Sequence, residues 1–274
     1  MGLEEAQITS SQPDLKAICD TLIELAFEAG KIITGALPDT GTTGAKKNSS
    51  DLVTDYDRAR YPDFELHGEE FCDPSFFPLT DAPTFIIEPI DGTVNFIHGF
   101  PHACVSIGFA VSRIPAVGVV LNPFTQTLYS AIRGKGAFIK RDIPLPLRGA
   151  ETEPLSGLEH SLIGIEWGSA RTGNNWETKI RTFEKLGSAA LNLCAVAAGT
   201  LDLYWEGGCW AWGVCAGWII LEEAGGIIVG GNPGEWRATV DGRKYLAIRA
   251  APSGVSQRTL VEEFWGAIQG RLQY

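Results

Sequence analysis

Hydrophobic positions in the first half of the chain change from helical spacing to short continuous runs. From residue 15 to 33 the apolar positions recur three or four apart, which predicts one long amphipathic helix that begins near Pro13. Further along, apolar runs at 117–121, 127–132 and 137–140 are separated by turn sequences that contain proline or glycine. Runs of this length with such separators predict an antiparallel meander of neighbouring strands.

The second half of the chain mixes helical and strand-like segments. A polar, proline-rich connector at 141–160 precedes it. We therefore expect two halves, 11–145 and 155–270, packed as one compact unit. Beyond the connector the pattern predicts strands at 162–167, 201–205 and 245–250, and helices at 175–186 and about 255–268.

The stretch 84–96 carries the clearest chemical signal. It starts as an apolar, β-branched run, which predicts a buried strand that Pro89 and Gly92 bring to an end. Glu88 and Asp91 then lie where the strand ends and the chain turns. Two carboxylates there are suitable hard-oxygen ligands for Mg²⁺, and the short helix predicted from Gly92 offers free N–H groups to a phosphate. The stretch therefore indicates phosphoryl chemistry.

Composition narrows the class of protein. The 274-residue chain is long enough for a large core, and its net charge is −11. No Lys/Arg run interleaved with aromatics occurs, which argues against nucleic-acid binding. The six cysteines form no CxxC pair and are interpreted as reduced core residues. Without a signal-like or membrane-spanning apolar segment, we expect a soluble cytoplasmic protein with no membrane contact.

Residues 88–96, Glu-Pro-Ile-Asp-Gly-Thr-Val-Asn-Phe, resemble the signature of the inositol monophosphatase family. Members of this family are Mg²⁺-dependent, lithium-sensitive phosphomonoesterases related to fructose-1,6-bisphosphatase. The resemblance continues in the expected order over nearly the whole chain, through the segments 46–57, 64–70, 187–199 and 209–226. It implies an α/β fold, a layered α-β-α-β-α sandwich of the inositol monophosphatase and fructose-1,6-bisphosphatase type, commonly as a homodimer. It also implies that residues 187–199 form a helix whose N-terminus faces the substrate.

The resemblance also implies a site in which a small phosphate ester is hydrolysed directly by water. The metal ligands would be the side chains of Glu69, Glu88 and Asp91 and the carbonyl of Ile90. Water would be oriented by Thr93, Asp57 and Glu69, with Lys46 in support. The phosphate would be held by the N–H groups of Gly92 and Thr93, and the alcohol part would be recognised by Ser188, Ala189 and Glu206.

Four departures from the family pattern bear on activity. Glu88 stands where the signature usually opens with Asp, and it adds one methylene to a metal ligand. Gly213 stands where the second signature, W-D-x-[AC]-[AG]-G, places an Asp that binds a second metal. Glu69 follows Asp57 by only 12 positions, so a helix of about 11 residues is missing between them. A strand and an Arg-containing turn are also missing before Gly187.

Several alternatives remain open at this stage. His98 and His102 lie four apart, but the intervening proline argues against a shared helical face for a metal. The chain is an active phosphomonoesterase, a catalytically impaired member that binds rather than hydrolyses, or a structural protein unrelated to phosphate. Inositol monophosphates, sugar phosphates, histidinol phosphate and nucleotide phosphates are all substrates of relatives. The G-S-A-A and W-E elements favour inositol phosphates.

Overall fold

The computed structural model describes residues 13–35, 61–69, 78–149, 153–166 and 187–274. Within these ranges, the first sheet contains seven strands in chain order: β1 (Glu65–Gly68), β2 (Thr84–Asp91), β3 (Cys104–Val111), β4 (Ile114–Asn122), β5 (Thr127–Ile132), β6 (Ala137–Ile139) and β7 (Ile143–Pro144). The second sheet contains four strands in the spatial order β10 (Ile227–Gly230), β11 (Lys244–Ile248), β9 (Leu203–Gly207) and β8 (Ile163–Glu166). The helices are α1 (Leu15–Gly35), α2 (Thr93–Ile97), α3 (Ala189–Ala198), α4 (Ala211–Glu223) and α5 (Gly254–Ala267), with a short 3-10 helix at Leu158–His160.

The sheets and helices alternate in five layers. α1 packs on one face of the first sheet, against β3, β4 and β5, and α4 packs on its other face. α3 lies beside α4 and also contacts β9 and β11 of the second sheet, while α5 contacts β11. One apolar cluster fills the space between α1 and the first sheet, another surrounds α3 and α4, and a third lies under α5. The predicted α-β-α-β-α sandwich is confirmed.

Most predicted elements are present, and the differences are local. The long first helix is α1, and the predicted meander is the antiparallel series β4, β5 and β6. The strand that was expected to break at Pro89 instead continues to Asp91. The proline is accommodated because the pairing of this strand with β3 shifts register between Glu88 and Asp91. Strand β10 was not predicted, and neither was the short β7, which lies in the connector predicted at 141–160. The helix expected at 175–186 lies outside the described residues, and the division into two halves stays a prediction.

Two glycines let α4 approach the first sheet closely. Gly108 on β3 and Gly118 on β4 are partners in the antiparallel register. A Cβ at position 108 would meet the Cys215 side chain, and one at 118 would meet the Ala216 carbonyl oxygen. Because the obstacle at 118 is helix backbone, it cannot turn aside, so this pair sets the distance between the layers.

Gly118→Ala is expected to destabilise the protein by about 1–3 kcal/mol, because the added methyl overpacks the interface with α4. The melting temperature should fall by roughly 2–4 °C per kcal/mol in a chain of this size. Gly266→Ala is the matched control, since a Cβ there meets nothing within 4 Å. Thermal unfolding of both variants measures the difference, and equal melting temperatures would show that the layers separate without cost.

Candidate active site

The first pair of carboxylates comes from the ends of two parallel strands. β1 and β2 run parallel, with Gly68 opposite Ile87. Glu69 and Glu88 follow directly after this pair, so the register brings their two side chains to the same edge of the sheet. Glu88 is 5% exposed, whereas Glu69 lies on the surface. Parallel pairing therefore assembles residues that are 19 positions apart in the sequence.

An irregularity in β2 turns Asp91 toward the same side as Glu88. Side chains alternate along a regular strand, so residues three positions apart would face opposite ways. Opposite β3, however, Glu88 pairs with Ser106 and Asp91 with Cys104, so β2 carries one extra residue over this stretch. A bulge of this kind restores the alternation. Both carboxylates consequently line the same cavity.

The chain then turns sharply at Gly92 into the short helix α2. Gly92 has φ +85°, and a Cβ there would lie 2.8 Å from the His102 carbonyl oxygen, so only glycine fits. The Thr93 hydroxyl donates to the Ile90 carbonyl at 3.1 Å. Asn95 donates from Nδ2 to the carbonyls of His102 and Gly187. α2 is thereby tied both to β3 and to the segment that enters α3.

Asp91 is held by the N-terminus of α3. Its Oδ2 accepts hydrogen bonds from the Ser188 hydroxyl at 2.5 Å and from the Ala190 backbone N–H at 2.9 Å. Ser188 also caps the helix, because its Oγ accepts from the Leu191 N–H. Negative charge is favourable at a helix N-terminus. The position of Asp91 therefore depends on α3, which follows it by almost a hundred residues.

A second pair of carboxylates comes from the second sheet. β8 and β9 run parallel, and Glu166 is the register partner of Glu206. Both side chains are at least 95% buried. The Tyr204 hydroxyl donates to Glu206 Oε2, and Asn192 Nδ2 donates to Glu166 Oε1. Burial and the neighbouring carboxylates raise the pKa of Tyr204 well above its ordinary value, so its hydroxyl keeps the proton that it donates.

These elements enclose one cavity of about 200 Å³. Eight of the predicted site residues line it: Glu69, Glu88, Ile90, Asp91, Gly92, Thr93, Ala189 and Glu206. Ser188 is 1% exposed and lies behind the wall, with its hydroxyl on Asp91 rather than facing the cavity. Lys46 and Asp57 lie outside the described residues. Gly213 also lines the cavity, and it contributes no side chain.

Sequence reasoning missed several lining residues. Glu166, Cys209, Trp210 and Trp212 all face the cavity. Trp210 stacks on Trp212 and lies under the Arg243 guanidinium, which is 3.5 Å from its ring centre. A signal for Glu166 was available, since it is a charged residue near the end of an apolar strand. Its pairing with Glu206 was not visible, because the sequence does not show which strands are neighbours.

The cysteines near the site are poor nucleophiles. Burial raises the pKa of the Cys104 thiol well above its ordinary value, and the nearby Asp91 carboxylate adds to this rise. Burial acts in the same way on Cys209, with Glu206 as the next cause. Thiols with raised pKa values stay protonated at neutral pH. The site therefore does not supply a thiolate to attack phosphorus.

The donor set of the cavity suits a hard divalent cation. Five carboxylates line it, namely Glu69, Glu88, Asp91, Glu166 and Glu206, and such a cluster of like charges is stabilised by a counter-charge. Within the described ranges there is no group of three or more His, Cys, Asp or Glu residues that could hold a metal ion. Mg²⁺ does not require one, because it keeps several waters and usually takes one or two carboxylates. The residues present therefore fit Mg²⁺.

Comparison with known proteins points to one family. A model of the inositol monophosphatase family matches residues 14–269. This chain belongs to the inositol monophosphatase family. It is 46% identical to inositol monophosphatase 2 of Saccharomyces cerevisiae over 84% of this chain and 86% of that protein. It is also 39% identical to inositol monophosphatase 1 of the same yeast, over 95% and 99% of the two chains. As a member of the family, the chain is a phosphatase.

Solved structures of the family share the fold. The inositol monophosphatase from Anabaena (Nostoc) sp. PCC 7120 superposes with a TM-score of 0.74 at 30% identity, over 92% of this chain and 98% of that one. SaIMPase-II with inositol monophosphate bound superposes with a TM-score of 0.69 at 28% identity, over 92% and 96% of the chains. Among the described residues of this family member, no helix is long and apolar enough to cross a membrane.

The alignment with yeast inositol monophosphatase 1 also bears on the length of the chain. It extends over 291 positions, whereas this chain has 274 residues. It therefore contains gaps on the side of this chain, which agrees with the two deletions that the sequence predicts. The positions of those deletions, between Asp57 and Glu69 and before Gly187, stay predictions.

Ser188→Ala is expected to destabilise this phosphatase more than an ordinary loss of a helix cap. The variant loses the cap of α3, which is typically worth about 1 kcal/mol, and also the buried hydrogen bond to the Asp91 carboxylate, worth about 1.5–3 kcal/mol. Ser253→Ala is the matched control, because Ser253 caps α5 through the Val255 N–H. Chemical denaturation of both variants tests this, and equal losses would mean that the Asp91 bond contributes nothing.

Proposed function

We propose that this protein is a Mg²⁺-dependent phosphomonoesterase that hydrolyses inositol monophosphate or a closely related polyol phosphate. The observation that carries the proposal is the cavity itself. On one wall it has the carboxylates at the ends of β1 and β2 together with the Gly92–Thr93 turn. A second wall is formed by Ala189 and the buried carboxylates of β8 and β9. A phosphate and its alcohol group would each meet a different wall.

The residues of the first wall would hold Mg²⁺ and the phosphate. Glu69, Glu88, Asp91 and the Ile90 carbonyl are the proposed ligands. Bound there, Mg²⁺ would neutralise phosphate charge and lower the pKa of a water molecule. The Thr93 hydroxyl and Asp57 would orient the attacking water, with Lys46 in support, and the N–H groups of Gly92 and Thr93 would bind phosphate oxygens.

The residues of the second wall would recognise the alcohol. Glu206 is buried and already accepts a hydrogen bond from Tyr204, so its carboxylate is fixed before substrate arrives. Ser188 and Ala189 form the turn that enters α3, with the Ala189 side nearer the cavity. The cytoplasmic location, lithium sensitivity and homodimer implied by the resemblance belong to this proposal. The five free cysteines of the described residues are consistent with a reducing compartment.

Phosphate release from myo-inositol 1-phosphate across a Mg²⁺ series tests the proposal. We expect release that requires Mg²⁺ and disappears in Asp91→Asn, because that variant loses a ligand while keeping its size. Glu262→Gln on the exposed face of α5 is the control and should leave the rate unchanged. Release that is equally fast after chelation of divalent metal would contradict the proposal.

A second candidate is a catalytically impaired member that binds phosphate esters without efficient turnover. Gly213 favours it, because the second family signature places a carboxylate at this position, whereas glycine contributes no side chain to the cavity. A Cβ at 213 would lie 2.7 Å from the Cys209 Sγ, so the thiol now occupies part of the space that an Asp side chain would need. The second metal would then lack its own ligand.

Gly213→Asp separates the two candidates. If the missing carboxylate limits the rate, this variant should raise turnover of myo-inositol 1-phosphate by at least about tenfold and lower the Mg²⁺ concentration needed, since loss of a cooperating group commonly costs orders of magnitude. Gly213→Asn is the matched control, because it adds the same bulk without charge. Combining each change with Cys209→Ala removes the close thiol. Equal rates for the Asp and Asn variants would remove position 213 as the explanation.

A further inference from the structure

Glu166 faces the cavity beside Glu206, and the family signatures assign it no role. The two glutamates are register partners on parallel strands, so their side chains leave the sheet on the same face. They are 5% and 3% exposed, respectively. Charged side chains of this kind are almost never buried without partners. Both carboxylates therefore need groups that donate hydrogen bonds to them.

Each carboxylate has one oxygen oriented by a hydrogen-bond donor from the protein. Asn192 on α3 donates to Glu166 Oε1. Tyr204 donates to Glu206 Oε2. The second oxygen of Glu166 packs against Gly187, where a Cβ would overlap the carboxylate. Glu166 is thus held by the segment 187–192, which leads into α3 and forms its first turn.

We propose that Glu166 is a specificity-determining residue that acts with Glu206 to bind adjacent hydroxyl groups of a cyclic polyol phosphate. This inference rests on the proposed function. Hydroxyl groups are neutral donors, and two neighbouring hydroxyls on a ring match two neighbouring acceptors. A hydrogen bond to a charged acceptor is stronger than one between neutral groups. A second phosphate on the substrate would instead be repelled by the pair.

Glu166→Gln keeps the size of the side chain and removes its charge. For myo-inositol 1-phosphate we expect kcat/KM to fall by about tenfold to a hundredfold, the range for one hydrogen bond to a charged group. For phenyl phosphate, a monoester without hydroxyls, kcat/KM should stay within about twofold of the unaltered chain. Glu262→Gln is the control and should change neither substrate. Equal losses for both substrates would overturn the proposal, because they would mean that Glu166 only supports the fold.

A binding measurement makes the test independent of turnover. Millimolar myo-inositol should raise the melting temperature of the unaltered chain, whereas cyclohexanol should not, and the rise should be lost in Glu166→Gln. If the unaltered chain hydrolyses neither ester, the proposed function fails, but the shift with myo-inositol still supports the paired glutamates. Phosphoethanolamine tests a cationic substrate, and a preference for it over myo-inositol 1-phosphate would overturn the polyol assignment.

Discussion

The hydrogen bonds between Asp91 and the N-terminus of α3 join the two sheets at the site. Asp91 ends β2 of the first sheet, and α3 lies against the second sheet. The carboxylate accepts from the Ser188 hydroxyl and the Ala190 N–H, both of which would otherwise need other partners at a buried helix end. Asn95 adds a parallel connection through the Gly187 carbonyl. The cavity has its shape because these bonds hold one wall against the other.

The site also depends on a strand arrangement that occurs in both sheets. Each sheet contributes one pair of parallel strands, β1 with β2 and β8 with β9, and the other strand pairs in both sheets are antiparallel. Both pairs place carboxylates at their carboxyl ends, and these carboxylates line the same cavity. In the proposed function, the first pair would hold a metal and a phosphate, and the second would bind an alcohol. So many carboxylates in one cavity favour a bound cation.

The helix between the sheets makes this closeness possible. α4 is buried along its length from Ala211 to Leu221, and the glycines of β3 and β4 let its backbone rest on the first sheet. Its first turn carries Gly213, which lines the cavity. A side chain there would meet the Cys209 thiol and Ala189 rather than the first sheet, so its effect is expected within the cavity and not on the distance between the layers.

The sequence by itself determined the elements and the chemistry of the first wall. The 3.6-residue spacing of α1, the short runs of β4 to β6 and the residues 88–96 were sufficient for these, because they depend on neighbours in the chain. The tertiary structure alone decided three other features: the bulge that turns Asp91 beside Glu88, the role of Ser188 as a support for Asp91, and the pairing of Glu166 with Glu206. Each results from contacts between segments that are distant in the sequence. Local spacing reveals neither the strand register nor which helix end contacts which carboxylate.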